Sequence, residues 1–270
     1  MALTDISLTS GMRANLVNLQ STVSLLERTQ SRLASGKKVN TALDNPTNYF
    51  TAQSHLNRAA DLDSRKDGMG EAIQAVKAAD AGIKGIQSLI ESARGLAQSA
   101  LSANASDRAS LSAQFDAIRG QIDQMASDSG YKGTNMLDNG SLDVIFNEGA
   151  TAKLTIAGFT ASSAGLGITG SVGSWASTTD IQASLDKLST ALSTLRTKSQ
   201  TLASNLNVVQ TRSDFTTGMI NTLTTGANNL TAADMNEEGA NMLMLQTRQT
   251  LSTTALSLSA QAAQSVLKLF

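Results

Sequence analysis

Two apolar rows, each repeating every seven residues, run unbroken through the second half of this chain. Ile181, Leu188, Leu195, Leu202, Val209, Thr216 and Leu223 form one row; Leu185, Leu192, Ser199, Leu206, Ser213 and Ile220 form the other. Their offsets alternate +4 and +3, the spacing of an a/d seam. Pro46 is the only proline in 270 residues, so nothing interrupts the pattern. A continuous helix over 179–223 would be roughly 65 Å long at ~1.5 Å per residue. A helix of that length needs another to cover its seam.

The first half supplies one. Met69, Val76, Ile83, Ile90 and Ala97 make a row there, and Ala72, Ala79, Ile86, Ala93 and Ala100 a second. The second row is mostly alanine, which lets a neighbouring helix approach closely. Gly82, Gly85 and Gly95 fall in the same stretch. Each costs ~1 kcal/mol against alanine in a helix interior, a loss that packing has to offset.

The ends of the chain are striped as well. Met12, Leu16, Leu19, Val23, Leu26 and Leu33 follow +4/+3 steps, with Gln30 the polar exception. Met242, Leu245, Leu256, Ala263, Leu267 and Phe270 share a seam near the other end, and Met244, Leu251 and Leu258 form a second stripe beside it. Two stripes on one helix require neighbours on two sides. Terminal segments are commonly polar and frayed, whereas this one closes with Val266, Leu267, Leu269 and Phe270. Further copies of the same chain are the simplest cover.

Composition narrows the function. Aromatic residues make up only 3%, as in helical scaffolds rather than enzymes with deep pockets. The net charge of −1, with no basic cluster, argues against nucleic acid. No apolar run approaches the ~18 residues a membrane helix needs. Cysteine is absent, which excludes disulfides, thiolate metal sites and cysteine nucleophiles. The opening Met1-Ala2-Leu3-Thr4-Asp5-Ile6-Ser7 lacks the basic region and apolar core of a standard secretory signal.

The middle differs in kind. A helix is expected over 107–127, followed by Asp138-Asn139-Gly140, a turn signal. Alternation through Leu142, Val144 and Phe146, a turn at Asn147-Glu148-Gly149, and a second run at Leu154 and Ile156 predict a β-hairpin. From 159 to 178 the chain is nearly all Gly, Ser, Thr and Ala, with Trp175 as one anchor, and reads as a surface excursion. The expected fold is mainly α: a long antiparallel helical rod or coiled-coil bundle, with a small β-hairpin at its tip and both chain ends at the other end.

Chemistry-bearing motifs are sparse. Gly165-Leu166-Gly167-Ile168-Thr169-Gly170 has the letters of a dinucleotide loop but no strand–loop–helix setting. His55 is the only histidine, so neither a histidine-based triad nor a multi-histidine metal site is expected. Asp234, Glu237 and Glu238 precede a helix whose dipole they complement. No catalytic group, cofactor or metal is expected.

One segment is more specific. Arg32-Leu33-Ala34-Ser35-Gly36-Lys37-Lys38-Val39-Asn40 ends a helix at glycine. Ala42-Leu43-Asp44-Asn45-Pro46-Thr47-Asn48-Tyr49-Phe50 restarts it, with Asn45 as N-cap and Pro46 at the first helical position. This is a polar joint between two striped helices. Residues 32–50 resemble the N-terminal signature of bacterial flagellin. Lys66-Asp67-Gly68-Met69-Gly70-Glu71-Ala72 and Gly95-Leu96-Ala97-Gln98-Ser99-Ala100 are similar to the stretch that follows it. Asn241-Met242-Leu243-Met244-Leu245-Gln246-Thr247-Arg248-Gln249, Ala255-Leu256-Ser257-Leu258 and Gln264-Ser265-Val266-Leu267-Lys268-Leu269-Phe270 resemble the C-terminal helix of that family. The resemblance covers about the first 150 and last 90 residues.

The resemblance implies a structural subunit that self-assembles into the extracellular filament used for motility, exported unfolded through the flagellar type III apparatus. Implied partners are further copies of the chain, the export apparatus and its chaperone, the filament cap and the hook-junction proteins. Residues 1–45 and 230–270 would form the inner core, disordered in the free subunit. Residues 46–160 and 179–229 would form the rod, and 160–178 a short surface loop in place of variable outer domains. Polymerisation contacts are then expected at Leu16, Leu19, Val23, Leu26, Leu33, Met242, Leu245, Leu256, Leu267 and Phe270. O-linked sugars, frequent on the exposed part of flagellins, would have acceptors at Ser162, Ser163, Thr169, Ser171, Ser177 and Thr178. A hook–filament junction protein, with similar terminal helices, is the alternative.

Overall fold

The computed structural model describes the backbone of residues 10–267 and the side chains of residues 10–265. Its elements are α1 (Ser10–Ser35), α2 (Pro46–Ser102), α3 (Ala105–Asp128), β1 (Ser141–Ile145), β2 (Lys153–Ala157), α4 (Thr178–Thr231) and α5 (Met235–Leu267), with a single turn at Val172–Trp175 before α4. The fold is mainly α with one two-stranded antiparallel sheet, as the heptad rows and the hairpin pattern predict. Two compact units emerge, one within Met1–Asn57 and Leu223–Phe270, the other Arg58–Thr222.

The second unit holds the main core. Every member of both α2 rows, from Met69 to Ala100, is buried, as is the first α4 row from Ile181 onward. The second α4 row is only half-buried except at Leu192; at its polar position Ser199, Oγ donates to Asp80 Oδ1 on α2 at 3.0 Å. Asn104 caps α3 by accepting from the Asp107 amide at 2.9 Å, and α3 lays Phe115 and Ile122 into the same core. In the hairpin, Leu142 pairs with Ile156 and Val144 with Leu154. Val144 and Ile156 point inward, while Asp143 on the outer face bonds Thr155 and Lys153. Those two bonds, Thr155 first, hold the Asp143 carboxyl below its ordinary range. Asn139 takes the left-handed conformation (φ 56°) that the turn signal anticipates.

The helix glycines divide by environment. A methyl group at Gly82 would sit 2.1 Å from Ser129 Oγ and 2.7 Å from Leu137 Cδ1, whereas at Gly95 it would meet nothing within 4 Å. Gly95→Ala is therefore expected to stabilise the fold by up to ~1 kcal/mol. Gly82→Ala overpacks the core and is expected to cost ~1–3 kcal/mol. Urea titrations of the two variants check the opposite signs; equal shifts would refute this account.

The segment expected to be a surface excursion is instead packed down. Ala161, Ser163, Leu166, Ile168 and Trp175 are buried. Two serines pin it to α3. Asp123 accepts from the Ser163 amide and hydroxyl at 2.6 and 3.0 Å, and Asp116 from those of Ser171 at 3.1 and 2.6 Å. Trp175 packs against Phe115 with ring centroids 4.9 Å apart and planes tilted by 52°, and its indole N–H donates to Ser184 Oγ at 3.2 Å. Gly167 turns the chain at φ +72°; the apparent dinucleotide pattern is a packed turn with Leu166 and Ile168 inside.

Candidate assembly surface

In the first unit α1 packs against α5. Met12, Thr22, Leu26 and Thr29 are buried on α1, and Glu238 and Leu245 on α5. Asn15, Leu19 and Leu33 complete the inner edge of α1 at half-burial, as Met242, Gln249, Ser252, Leu256 and Ala263 do on α5. The N-terminal register differs from the apolar count. Thr22 and Thr29, not Val23 and Gln30, occupy the inner positions. Thr22 can do so because its hydroxyl donates to the Asn18 carbonyl at 2.8 Å, which leaves its methyl for the seam.

The joint after α1 is strapped rather than free. Gly36, at φ +68°, donates to the Arg32 carbonyl at 2.8 Å and closes the helix. The Lys38 and Val39 amides donate to the Thr231 carbonyl at 2.8 and 3.3 Å, and the Ala233 amide returns to the Gly36 carbonyl at 3.0 Å. Val39 is buried beneath. Arg32 Nη1 reaches Glu238 Oε1 at 2.9 Å, so this acid also forms an ion pair across the two terminal helices. Asp234 caps α5 through the Asn236 and Glu237 amides. Asn45 caps α2, accepting from the Asn48 amide at 3.0 Å.

The expected polymerisation residues differ in exposure within the single chain. Leu26 and Leu245 are buried, and Leu16, Leu19, Val23, Leu33, Met242 and Leu256 are half-buried. Phe270 and the Leu267 side chain lie outside the described residues. What α5 leaves open is the other stripe: Met244, Leu251 and Leu258 are 56%, 65% and 62% exposed, with Leu243 beside them. Val17 on α1 and Leu43 in the joint are open too. The seven-residue spacing announces the α5 stripe; Leu43 carries no such signal.

The expected sugar acceptors are not equivalent. Ser163 is 2% exposed and committed to Asp123, which leaves no room for a glycan. Ser171 is half-buried against Asp116. Thr169 is exposed but accepts from Lys187 Nζ at 2.7 Å, and Ser162 accepts from the Gly165 amide at 3.2 Å. Ser177 and Thr178 are exposed at the start of α4. Among the described residues no cluster of three or more His, Cys, Asp or Glu could hold a metal ion, and no helix is long and apolar enough to cross a membrane.

Long seven-residue seams, and a terminal helix apolar on two faces of which only one is covered, describe a mainly helical scaffold. Residues 6–141 match the bacterial flagellin N-terminal helical region. Flagellin FljM of Caulobacter vibrioides is 30% identical over 274 residues, across the whole of both chains. A flagellin of Brucella melitensis is 27% identical over 94% of this chain and 95% of its own. The chain belongs to the flagellin family, whose members are structural proteins of the flagellar filament rather than enzymes. A crystal structure of Bacillus cereus flagellin is similar at 20% identity and a TM-score of 0.49, over 55% of this chain and 88% of that one.

Proposed function

We propose that this chain is a subunit that polymerises into the flagellar filament through the open stripe of α5. The observation that carries the reading is the row Met244, Leu251 and Leu258, exposed along a helix whose opposite face is already covered by α1. A row of this length left in water is unfavourable at ~25 cal/mol per Å² of apolar surface. Another copy of the same helix pair offers matching cover. The α1–α5 pair buries few side chains, two of the four on α1 being threonines. That thin seal supports a terminal region that is loose in the free subunit and sealed on assembly. Residues 10–45 and 230–265 then belong to the inner core of the filament, and residues 46–160 and 179–229 to its rod. The reading includes export in the unfolded state through the flagellar type III apparatus with a chaperone, and addition beneath a cap, with junction proteins at the base. The absence of cysteine suits such a route, since no crosslink forms in transit.

Negative-stain microscopy of the purified chain tests this. Filaments many subunits long are expected; short or no polymers would overturn the reading in favour of the junction protein. If the filament carries O-linked sugar, intact-mass and peptide measurements should place it on Ser177 or Thr178. Sugar on Ser163 would contradict the packing described above.

A further inference from the structure

We propose that the 40–45 turn of one copy docks into a pocket beside the hairpin of another, Leu43 filling the pocket and Asp44 meeting Arg212. The proposal rests on the filament reading and adds a second interface to it.

Leu43 is 95% exposed, the most open large apolar side chain described. It is also held in place. Asp44 Oδ2 accepts from the Thr41 amide at 2.9 Å, the Asn40 amide at 3.0 Å and the Thr41 hydroxyl at 3.1 Å, while the Asp44 amide donates to the Thr41 carbonyl at 3.1 Å. The following residue, Asn45, caps α2. Leu43 thus stands on a crest fixed on both sides, so little conformational entropy is lost when it is buried. The Thr41 and Asn40 amides keep the Asp44 carboxyl below its ordinary range, hence ionised. Its Oδ1 has no hydrogen-bond partner among the described residues.

The receiving surface lies in the second unit. A pocket of about 160 Å³ opens between α2, the hairpin loop and α4, lined by Leu62, Phe146, Phe215 and Met219 and flanked by the Arg58–Glu148 ion pair at 2.7 Å. An apolar cavity of ~150 Å³ accepts a benzene ring, so a leucine side chain fits this volume. Phe215 stands 59% exposed at the mouth. The Arg212 guanidinium lies 5.3 Å from the centre of the Phe146 ring and makes no ion pair among the described residues. An unpaired cation at the rim and an unpaired carboxylate oxygen beside the projecting leucine are complementary in sign. Crest and pocket are different surfaces of one chain, so joining them makes a heterologous contact, the kind that propagates without closing. This complementarity of sign, on a chain read as self-assembling, makes a second copy the occupant.

The chain has no cysteine, so introduced pairs are unambiguous. Leu43→Cys combined with Phe215→Cys or with Met219→Cys should, in assembled filaments under mild oxidation, give a ladder of covalent multimers on a non-reducing gel. Leu43→Cys with Val172→Cys, an exposed position outside the pocket, should give none. Filaments from both pocket pairs without a ladder would overturn the proposal. Should those pairs fail to assemble, Leu43→Ala decides. Its critical concentration for elongation is expected to rise about tenfold with an unchanged melting temperature; an unchanged critical concentration overturns the proposal. Absence of filaments from the unsubstituted chain would instead overturn the filament reading itself.

Discussion

Met244→Asp combined with Leu251→Asp should abolish filaments and leave the melting of the isolated subunit unchanged. Both side chains are exposed in the folded chain, so the substitutions cost the subunit within about ±0.5 kcal/mol. In the polymer the same positions would be covered, and each new carboxylate would lose water without gaining a partner. A combined penalty of ~3 kcal/mol or more raises the critical concentration over a hundredfold. Leu26→Asp provides the contrast. That leucine is buried between α1 and α5, so its charge opens a weakly sealed helix pair and lowers the residual terminal helicity of the free subunit before assembly is tested. Sedimentation and circular dichroism on the two variants separate the effects. Normal filaments from the double variant would remove the α5 stripe from the assembly surface.

Trp175→Ala is expected to be the most damaging single truncation in the second unit, at about 3–5 kcal/mol. The indole is fully buried against Phe115 and bonded to Ser184. It also sits at φ 56°, after Gly173 and Ser174 at 55° and 52°. A bulky residue in the left-handed region persists only where surrounding packing over-determines it. Alanine keeps that backbone cost and loses the packing that offsets it. Denaturant melts should show the loss, and hydrogen exchange should accelerate across 159–176. A shift under ~1 kcal/mol would mean that the two serine–aspartate clamps, rather than the tryptophan, hold the segment.

The seams were legible because a seven-residue apolar repeat leaves a helix only one way to bury its rows: all the α2 row members and Ile181 to Leu223 went inside as spaced. The turn at Asn139 and the caps at Gly36 and Asn45 were legible for a local reason, since each acts within a few residues of itself. Thr22 and Thr29 were missed because counting apolar letters treats threonine as polar, although its hydroxyl can satisfy itself on its own helix. The 159–176 segment was misread because what fixes it is distant. Ser163 finds Asp123 40 residues back, and Ser171 finds Asp116 55 residues back. Composition alone makes such a stretch look free. The two-faced pattern of α5 was visible, but which face is covered depends on α1, so the spacing alone did not show that Leu26 and Leu245 face each other's helix within the chain.

The Arg32–Glu238 pair spans 206 positions, and the strap at Lys38 and Thr231 spans nearly as many. Closing so large a loop is entropically slow. The first helix can therefore meet the one that covers it only once nearly the whole chain is available.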